Sequence, residues 1–185
     1  MNDAFRVGEN VYFRSLSASD IENRYYEWFN DEVTSKNNSH SIFPETKEGA
    51  VQFHKELKDN NSMVHFAIID LKTDIHIGCC SLQCIDWVLR SAEMARIIGK
   101  KDFRGKGIGT EVGKMLLEYG FNTLNLNKIW VGNVATNEAA IGSKNKLGFT
   151  VDGVLREANF KNGTYHDVVI SSILKREYTS FKQNI

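Results

Sequence analysis

The stretch that most constrains this chain is residues 104–110, Arg-Gly-Lys-Gly-Ile-Gly-Thr. It lies between an apolar extended run at residues 94–98 and a helix-patterned run at residues 111–121. A strand, a glycine-rich turn and a helix N-terminus form an anion site, because the first helical N–H groups lack partners and the helix dipole favours negative charge. Glycines also let the backbone approach a phosphate closely. We interpret the stretch as a diphosphate cradle. The alternative is an ordinary strand-to-helix turn with a solvated basic rim.

Residue spacing excludes two other phosphate motifs. A P-loop needs Gly-Lys followed by Ser or Thr, whereas Gly113 and Lys114 are followed by methionine. A dinucleotide fingerprint that begins at Gly105 needs a third glycine where Thr110 stands. The remaining pattern is Arg-x-x-Gly-x-Gly, which begins at Arg104.

Length and composition favour an ordinary globular domain. The chain has 185 residues, of which 42% are hydrophobic and 25% charged, so we predict one domain over residues 1–185. The formal net charge of zero argues against a nucleic-acid protein that works by bulk charge. Residues 1–10 carry no apolar signal segment, and no run reaches about 18 apolar residues. We therefore expect a soluble cytoplasmic protein that does not enter a membrane.

The cysteines predict neither disulfides nor a metal site. Cys79, Cys80 and Cys84 are an odd number crowded into one apolar segment, which is no disulfide framework. We expect three buried thiols in a reducing compartment. Zinc is not expected, because Cys80 and Cys84 lack a matching second pair.

Hydrophobic periodicity predicts the element order βααβββαβαββ, an α/β (α+β) fold with one mixed, mostly antiparallel sheet flanked by helices. Asn-Gly at residues 162–163 predicts a hairpin between the last two strands. The predicted strands are residues 11–16, 64–70, 75–85, 90–98, 128–132, 149–160 and 164–174. The predicted helices are residues 21–29, 46–57, 111–121 and 137–146.

The Arg-x-x-Gly-x-Gly spacing resembles the acyl-CoA motif of the GNAT N-acetyltransferase superfamily. Residues 137–140 and 146–149 resemble that family's last helix and its closing Lys-x-Gly-Phe, and Ala92 and Glu93 precede the cradle as in the family. The chain is most similar to the branch that includes ribosomal-protein N-terminal, spermidine and amino-sugar acetyltransferases. The resemblance extends over nearly the whole chain.

The resemblance implies transfer of an acetyl group from acetyl-CoA to an amine. Backbone N–H groups of the cradle would hold the pyrophosphate, and the backbone of Ile97 and Ile98 would pair with the pantetheine amides as an added strand. Asn137 would contact the cofactor arm, or cap the last helix, or do both. The implied cofactor residues are Ile97, Ile98, Arg104, Gly105, Lys106, Gly107, Ile108, Gly109, Thr110 and Asn137.

The resemblance also suggests catalytic residues. Glu93 is the candidate general base; the alternative is a structural carboxylate paired with a cation such as Arg90. Many family members place a tyrosine acid where this chain has Lys144. Ser143 is adjacent and could donate a hydrogen bond. Lys144 could donate too, but we favour a solvated helix lysine, in which case thiolate release relies on solvent. The predicted catalytic residues are Glu93 and Ser143.

For the acceptor we expect a primary amine of a small molecule, either an amino sugar or a polyamine, attacking directly in a ternary complex. Glu27, Asp31, Glu32 and Glu45 could attract a cationic amine, or could form a solvated helix face. The loop at residues 37–43 and the final hairpin, through His40, Tyr165 and His166, could contact a sugar, or these side chains could be ordinary surface residues. The alternatives are a protein N-terminus of the ribosomal type and a low-turnover acyl-CoA-binding regulatory protein. We expect no nucleic-acid partner, and we allow for a homodimer.

Overall fold

The structure is a computed structural model that describes residues 3–35, 43–161 and 163–183. Its strands are β1 Arg6–Val7, β2 Val11–Ser15, β3 Val64–Asp70, β4 His76–Asp86, β5 Ser91–Ile98, β6 Lys128–Val134, β7 Thr150–Lys161 and β8 Thr164–Leu174. Its helices are α1 Ala18–Glu22, α2 Glu27–Asn30, α3 Glu32–Ser35, α4 Lys47–Glu56, α5 Ile108–Asn122, α6 Glu138–Lys146 and α7 Lys175–Gln183. A 3₁₀ turn, Lys101–Phe103, precedes α5. His40 and Asn162 lie outside the described residues.

All eight strands form one sheet in the order β1-β2-β3-β4-β5-β6-β8-β7. Every neighbouring pair is antiparallel except β5 and β6, which are parallel and are connected by α5. The predicted mixed, mostly antiparallel sheet flanked by helices is therefore confirmed.

The parallel pair is short, and this matters for the site. β5 and β6 pair only from Ser91–Lys128 to Glu93–Trp130, although both strands continue beyond these residues. Beyond Glu93, the edge of β5 that faces β6 has no strand partner in the described chain. We call this opening the β5–β6 gap.

Each face of the sheet has its own apolar cluster. Val11 and Phe13 pack with Leu116 of α5 on one face, and Tyr12 and Leu16 pack with α1 and α4 on the other. The alternation predicted for residues 11–16 is thus confirmed. α5 and α4 therefore cover opposite faces. In the described ranges no helix is long and apolar enough to cross a membrane.

The first predicted helix is wrong in one respect, because residues 21–29 form two short helices. Between them Arg24 adopts a φ of 60°, which interrupts the helical path. The carboxylate of Asp20, at the start of this region, is buried and accepts two hydrogen bonds of 2.7 Å from Arg14 of β2. This attachment to the sheet fixes α1. The strand β1 and the helix α7 were also not predicted.

The cysteines follow the prediction in two cases of three. Cys79 and Cys80 are buried, and burial raises the pKa of Cys79 to about 12. The prediction of a buried Cys84 is wrong, because this thiol is exposed. It lies with a φ of 51° where the β4–β5 register shifts, and such a bulge redirects side chains. The described residues contain no group of three His, Cys, Asp or Glu side chains that could hold a metal ion.

Because of His65, we expect the stability of the fold to decrease in acid. Its ring packs edge-on against Phe53 at 5.2 Å, Nε2 is buried without a partner among the described residues, and burial lowers the pKa to about 4. Between about pH 6.5 and 4 the unfolded chain binds a proton that the folded chain does not, so the free energy of unfolding falls as the pH falls. The full loss is on the order of 3 kcal/mol.

The variant His65→Phe removes this titration and keeps an aromatic ring against Phe53. Urea unfolding at pH 7, 5.5 and 4 should show the wild type losing about 3 kcal/mol more than the variant. The comparison cancels the other titrating groups, because both proteins share them. Parallel stability profiles over this pH range would contradict the assignment.

Candidate active site

Two left-handed glycines shape the loop between β5 and α5. Gly105 has a φ of 74° and Gly107, the residue that caps α5, a φ of 81°. Side chains other than glycine adopt this region at a cost. A Cβ added at either position would meet no atom within 4 Å, so the space in front of the loop is open.

The loop presents a run of free backbone donors. The N–H of Arg104 donates to the carbonyl of Lys101 at 3.1 Å, and the N–H of Thr110 donates to the carbonyl of Gly107 at 2.9 Å. Between them, the N–H groups of residues 105–109 have no acceptor in the described part of the chain. They stand at the positive end of a helix of 15 residues, which is an anion site. The seven residues predicted for the cradle thus offer five unengaged donors.

The Arg104 side chain braces this loop against the end of β5. Its Nε donates to the carbonyl of Ile98 at 2.8 Å, and its Nη2 donates to the carbonyl of Gly99 at 2.8 Å. Nη2 also donates to Thr34 Oγ1 of α3 at 2.5 Å. The guanidinium therefore holds the loop to β5 and α3. Ile97 and Ile98 belong to the stretch of β5 that borders the β5–β6 gap.

Glu93 stands where the β5–β6 gap begins. It forms the last pair with β6, opposite Trp130, and its neighbours in β5 point into the α5-side cluster, so its own side chain points to the other face. Gln83 Nε2 of β4 donates to Glu93 Oε2 at 3.1 Å. The alternative ion pair with Arg90 does not occur between these two described residues.

The cap predicted at Asn137 is confirmed, since its Oδ1 accepts from the backbone N–H of Ala140 at 3.1 Å. Cofactor contact by Asn137 stays a prediction. Further along α6, Ser143 Oγ accepts from Arg96 Nη2 at 2.9 Å and lies 3.2 Å from Thr110 Oγ1. Ser143 thereby links α6 to β5 and to the start of α5.

The interpretation of Lys144 as a solvated lysine is wrong. The residue is 4% exposed, and its Nζ donates to Ser171 Oγ of β8 at 2.9 Å. Burial lowers the pKa of this ammonium. The reason is tertiary: α6 turns this side towards the sheet, which its short and weakly amphipathic sequence does not indicate.

Sequence reasoning missed two residues of this region, Gln83 and Arg96. Arg96 has the same strand parity as Met94 and so points towards α5, where its Nη1 would lie 3.1 Å from a Cβ added at Gly113. Burial lowers the pKa of its guanidinium to about 10. One signal was available, because an arginine inside the apolar run of residues 94–98 is unusual in a strand. No comparable signal marks Gln83.

The acidic residues proposed to attract an amine differ in their surroundings. Glu27 forms an ion pair with Arg24, and Asp31 accepts hydrogen bonds at the start of α3. Glu32 is exposed and Glu45 partly buried, and neither has an ion pair among the described residues.

The site thus combines a parallel strand pair that opens at one end with a glycine-rich anion site beside the opening. Residues 10–150 match the family model of the acetyltransferase (GNAT) domain. The chain belongs to this family. The resemblance inferred from the cradle and the last helix is therefore confirmed, and the protein is an N-acetyltransferase that transfers an acetyl group from acetyl-CoA to an amine.

Individual relatives agree with this membership. The acetyltransferase is 31% identical to the uncharacterized N-acetyltransferase p20 of Bacillus licheniformis over 172 residues. The aligned region covers 92% of this chain and 96% of p20. It is 33% identical to the spermidine N(1)-acetyltransferase of Vibrio cholerae over 126 residues. This aligned region covers 68% of this chain and 71% of the relative. Among solved structures, the V. cholerae spermidine N-acetyltransferase in complex with CoA and spermine superposes with a TM-score of 0.85 at 26% identity, covering 92% and 98%.

Proposed function

We propose that this acetyltransferase acetylates a primary amine of a small molecule, either a polyamine or an amino sugar, by direct attack in a ternary complex. The observation that carries the proposal is the β5–β6 gap, which has the free donors of the cradle near one end and Glu93 at the other. Such a gap lets a thioester approach from the α5 side of the sheet and an amine from the opposite side.

In the proposed complex the diphosphate of acetyl-CoA lies on the N–H groups of residues 105–109. Five donors at a helix N-terminus suit a dianion, since they need no rearrangement and the dipole adds to them. The pantetheine arm would follow the free edge of β5 at Ile97 and Ile98, next to Asn137. Thr110 and Arg104 would support the loop, because their own N–H groups are already engaged.

The proposed chemistry begins with loss of a proton from the ammonium, which otherwise has no lone pair for attack. Glu93 would accept this proton directly or through a water molecule, with its orientation held by Gln83. Glu93 is the only member of this pair that can act as a base, because an amide is not protonated near neutral pH. Holding both reactants in the gap supplies the proximity that a bimolecular reaction in water lacks.

Two facts support a small cationic acceptor. Glu32 and Glu45 offer carboxylates without ion-pair partners among the described residues. The superposed V. cholerae enzyme is described in complex with spermine. An amino sugar carries a single amine and would rely more on hydroxyl contacts than on these carboxylates.

The test is an acceptor panel that measures release of free CoA from acetyl-CoA. Spermidine, a nucleotide-linked amino sugar and peptides with free N-termini should be compared at equal concentration, with mass spectrometry of each product. We expect acetylated spermidine or acetylated amino sugar and no acetylated peptide. Acetylation of peptides alone would contradict a small-molecule acceptor.

A protein N-terminus is the second candidate, because the chain is 37% identical over 105 residues to the putative ribosomal N-acetyltransferase YdaF of Bacillus subtilis. The same panel decides between the two acceptors. Tight acetyl-CoA binding without release on any acceptor would instead favour a regulatory acyl-CoA-binding protein.

For assembly we propose an oligomer, for which a homodimer is the smallest case. A superposed V. cholerae spermidine N-acetyltransferase is described as dodecameric. Light scattering of the purified protein, with and without spermidine, distinguishes a dimer from a larger assembly.

A further inference from the structure

Two cations lie against the sheet under α6, and neither has a carboxylate partner in the part of the chain that the structure describes. Arg96 hydrogen-bonds Ser143 Oγ at 2.9 Å and contacts Met94 Sδ at 3.7 Å. Lys144 hydrogen-bonds Ser171 Oγ at 2.9 Å. Among the described residues no Asp or Glu oxygen lies within 4.0 Å of either cation.

These contacts place α6 across the β5–β6 gap. Ser143 joins α6 to Arg96 on β5, and the next residue, Lys144, joins it to Ser171 on β8. Ser171 pairs with Val131, the β6 residue that directly follows the last β5–β6 pair. The peptide that connects Ser143 and Lys144 therefore lies on the α5 side of the sheet, between Arg96 on the β5 border of the gap and Ser171 on β8, one strand beyond the β6 border.

Removing a cation from water costs several kcal/mol unless an anion or a full set of acceptors compensates. Here each cation has one hydroxyl, although Lys144 can donate three hydrogen bonds and Arg96 five. Two such cations flank the opening, Arg96 on its β5 border and Lys144 over β8 beyond β6, and together they generate a positive potential within it. This potential favours negative charge on a ligand atom that enters the gap.

We propose that Arg96 and Lys144 form an anion site for the sulfur of coenzyme A and stabilise it as a thiolate when it leaves. The inference rests on the proposed function, which places the thioester in this gap. It extends that function, because it assigns the departure of the leaving group to two residues of the chain rather than to solvent.

The step balances without another reactant. The ammonium gives one proton to Glu93, and the neutral amine nitrogen then forms a bond to the thioester carbon. The nitrogen of this tetrahedral intermediate is again cationic and loses its second proton to water, and the C–S bond breaks with its electron pair on sulfur. The products are the acetamide and a CoA thiolate held between the two cations. The proton on Glu93 is released to solvent, and the thiolate takes a proton from solvent as CoA departs. Both side chains keep their protons, so they act by charge.

The direct test is the thiol pKa of CoA bound to the wild-type protein, followed by thiolate absorbance in the ultraviolet. The complex with S-methyl-CoA is the blank, because a thioether cannot ionise and the blank subtracts Cys84 and the tyrosines. A free thiol titrates near a pKa of about 8.5. We expect bound CoA to titrate at least about one unit lower, which is tenfold more thiolate at a given pH and about 1.4 kcal/mol.

Variants assign the effect to the two residues. Lys144→Met and Arg96→Met keep length and remove charge, and each should return the bound thiol pKa towards that of free CoA. Lys144→Arg and Arg96→Lys keep the charge and should retain the lowered value. The matched control is Lys146→Met, an exposed lysine of the same helix, which should change nothing. A lowered pKa that survives both methionine substitutions would overturn the assignment.

The outcomes separate this inference from the function on which it rests. Failure of the wild type to bind CoA by calorimetry would overturn both. Binding of CoA with an ordinary thiol pKa would overturn the thiolate site and leave the proposed acetyl transfer intact. The wild-type titration decides this even where a methionine variant does not fold.

Discussion

Gly107→Val should lower the affinity for acetyl-CoA by at least about 100-fold, which corresponds to about 2.7 kcal/mol of binding free energy. Gly107 caps α5 with a φ of 81°, a conformation that a β-branched residue adopts only with strain. The loop would relax away from this geometry, and the N–H groups that it presents would no longer converge. A side chain at this position would also occupy the open space in front of the loop, which is where we place the diphosphate.

The chain itself should stay folded, because a Cβ at Gly107 meets no atom within 4 Å. The conformational cost is about 1–2 kcal/mol, smaller than the stability of most domains. Gly163 provides the matched control: its φ is 77°, its added Cβ also meets nothing within 4 Å, and it lies in the β7–β8 turn. Gly163→Val therefore carries the same backbone strain without touching the cradle.

Thermal melts first establish that both variants are folded. Calorimetry then measures the affinity of each variant for acetyl-CoA. Loss of affinity in Gly107→Val alone supports the cradle. Unchanged affinity in a folded Gly107→Val protein would place the diphosphate elsewhere. Equal losses in both variants would trace the effect to general destabilisation.

Glu93→Gln should lower turnover at neutral pH by about 100-fold or more, since loss of a general base has effects of this size. The substitution preserves shape, and the hydrogen bond from Gln83 Nε2 can persist to the new amide oxygen. Only proton acceptance is lost. The deficit should shrink as the pH approaches about 10, where an alkyl amine is largely neutral without help.

Steady-state rates from pH 6.5 to 10 with the preferred acceptor test this result, and calorimetry should show acetyl-CoA affinity unchanged. Glu9→Gln, an exposed carboxylate between β1 and β2, is the control and should match the wild type at every pH. Gln83→Leu removes the partner of Glu93 and should cost less than Glu93→Gln while shifting the pH profile. A Glu93→Gln enzyme with normal turnover at pH 7 would remove Glu93 from the mechanism.

Short-range signals determined much of this protein. β3 and β8 begin and end where the sequence predicts, at Val64–Asp70 and Thr164–Leu174. Both are short runs rich in β-branched and apolar residues, and turn residues at 72–74 end the first while Asn-Gly precedes the second. The glycine turn and the cap at Asn137 are equally local. Within the cradle, a few consecutive residues specify both the left-handed glycines and the start of α5. The family resemblance rests on the same short segments.

Tertiary structure alone decided how the chemistry-bearing side chains meet. Arg96 and Ser143 are 47 residues apart, and Lys144 and Ser171 are 27 apart, so no periodic pattern relates them. The β5–β6 gap depends on where two remote strands stop pairing, and Lys144 is buried because α6 packs on the sheet with this side chain reaching Ser171 of β8. Periodicity shows that a face is covered, whereas the covering element, and therefore the electrostatics of each buried group, depends on the packing of the whole sheet.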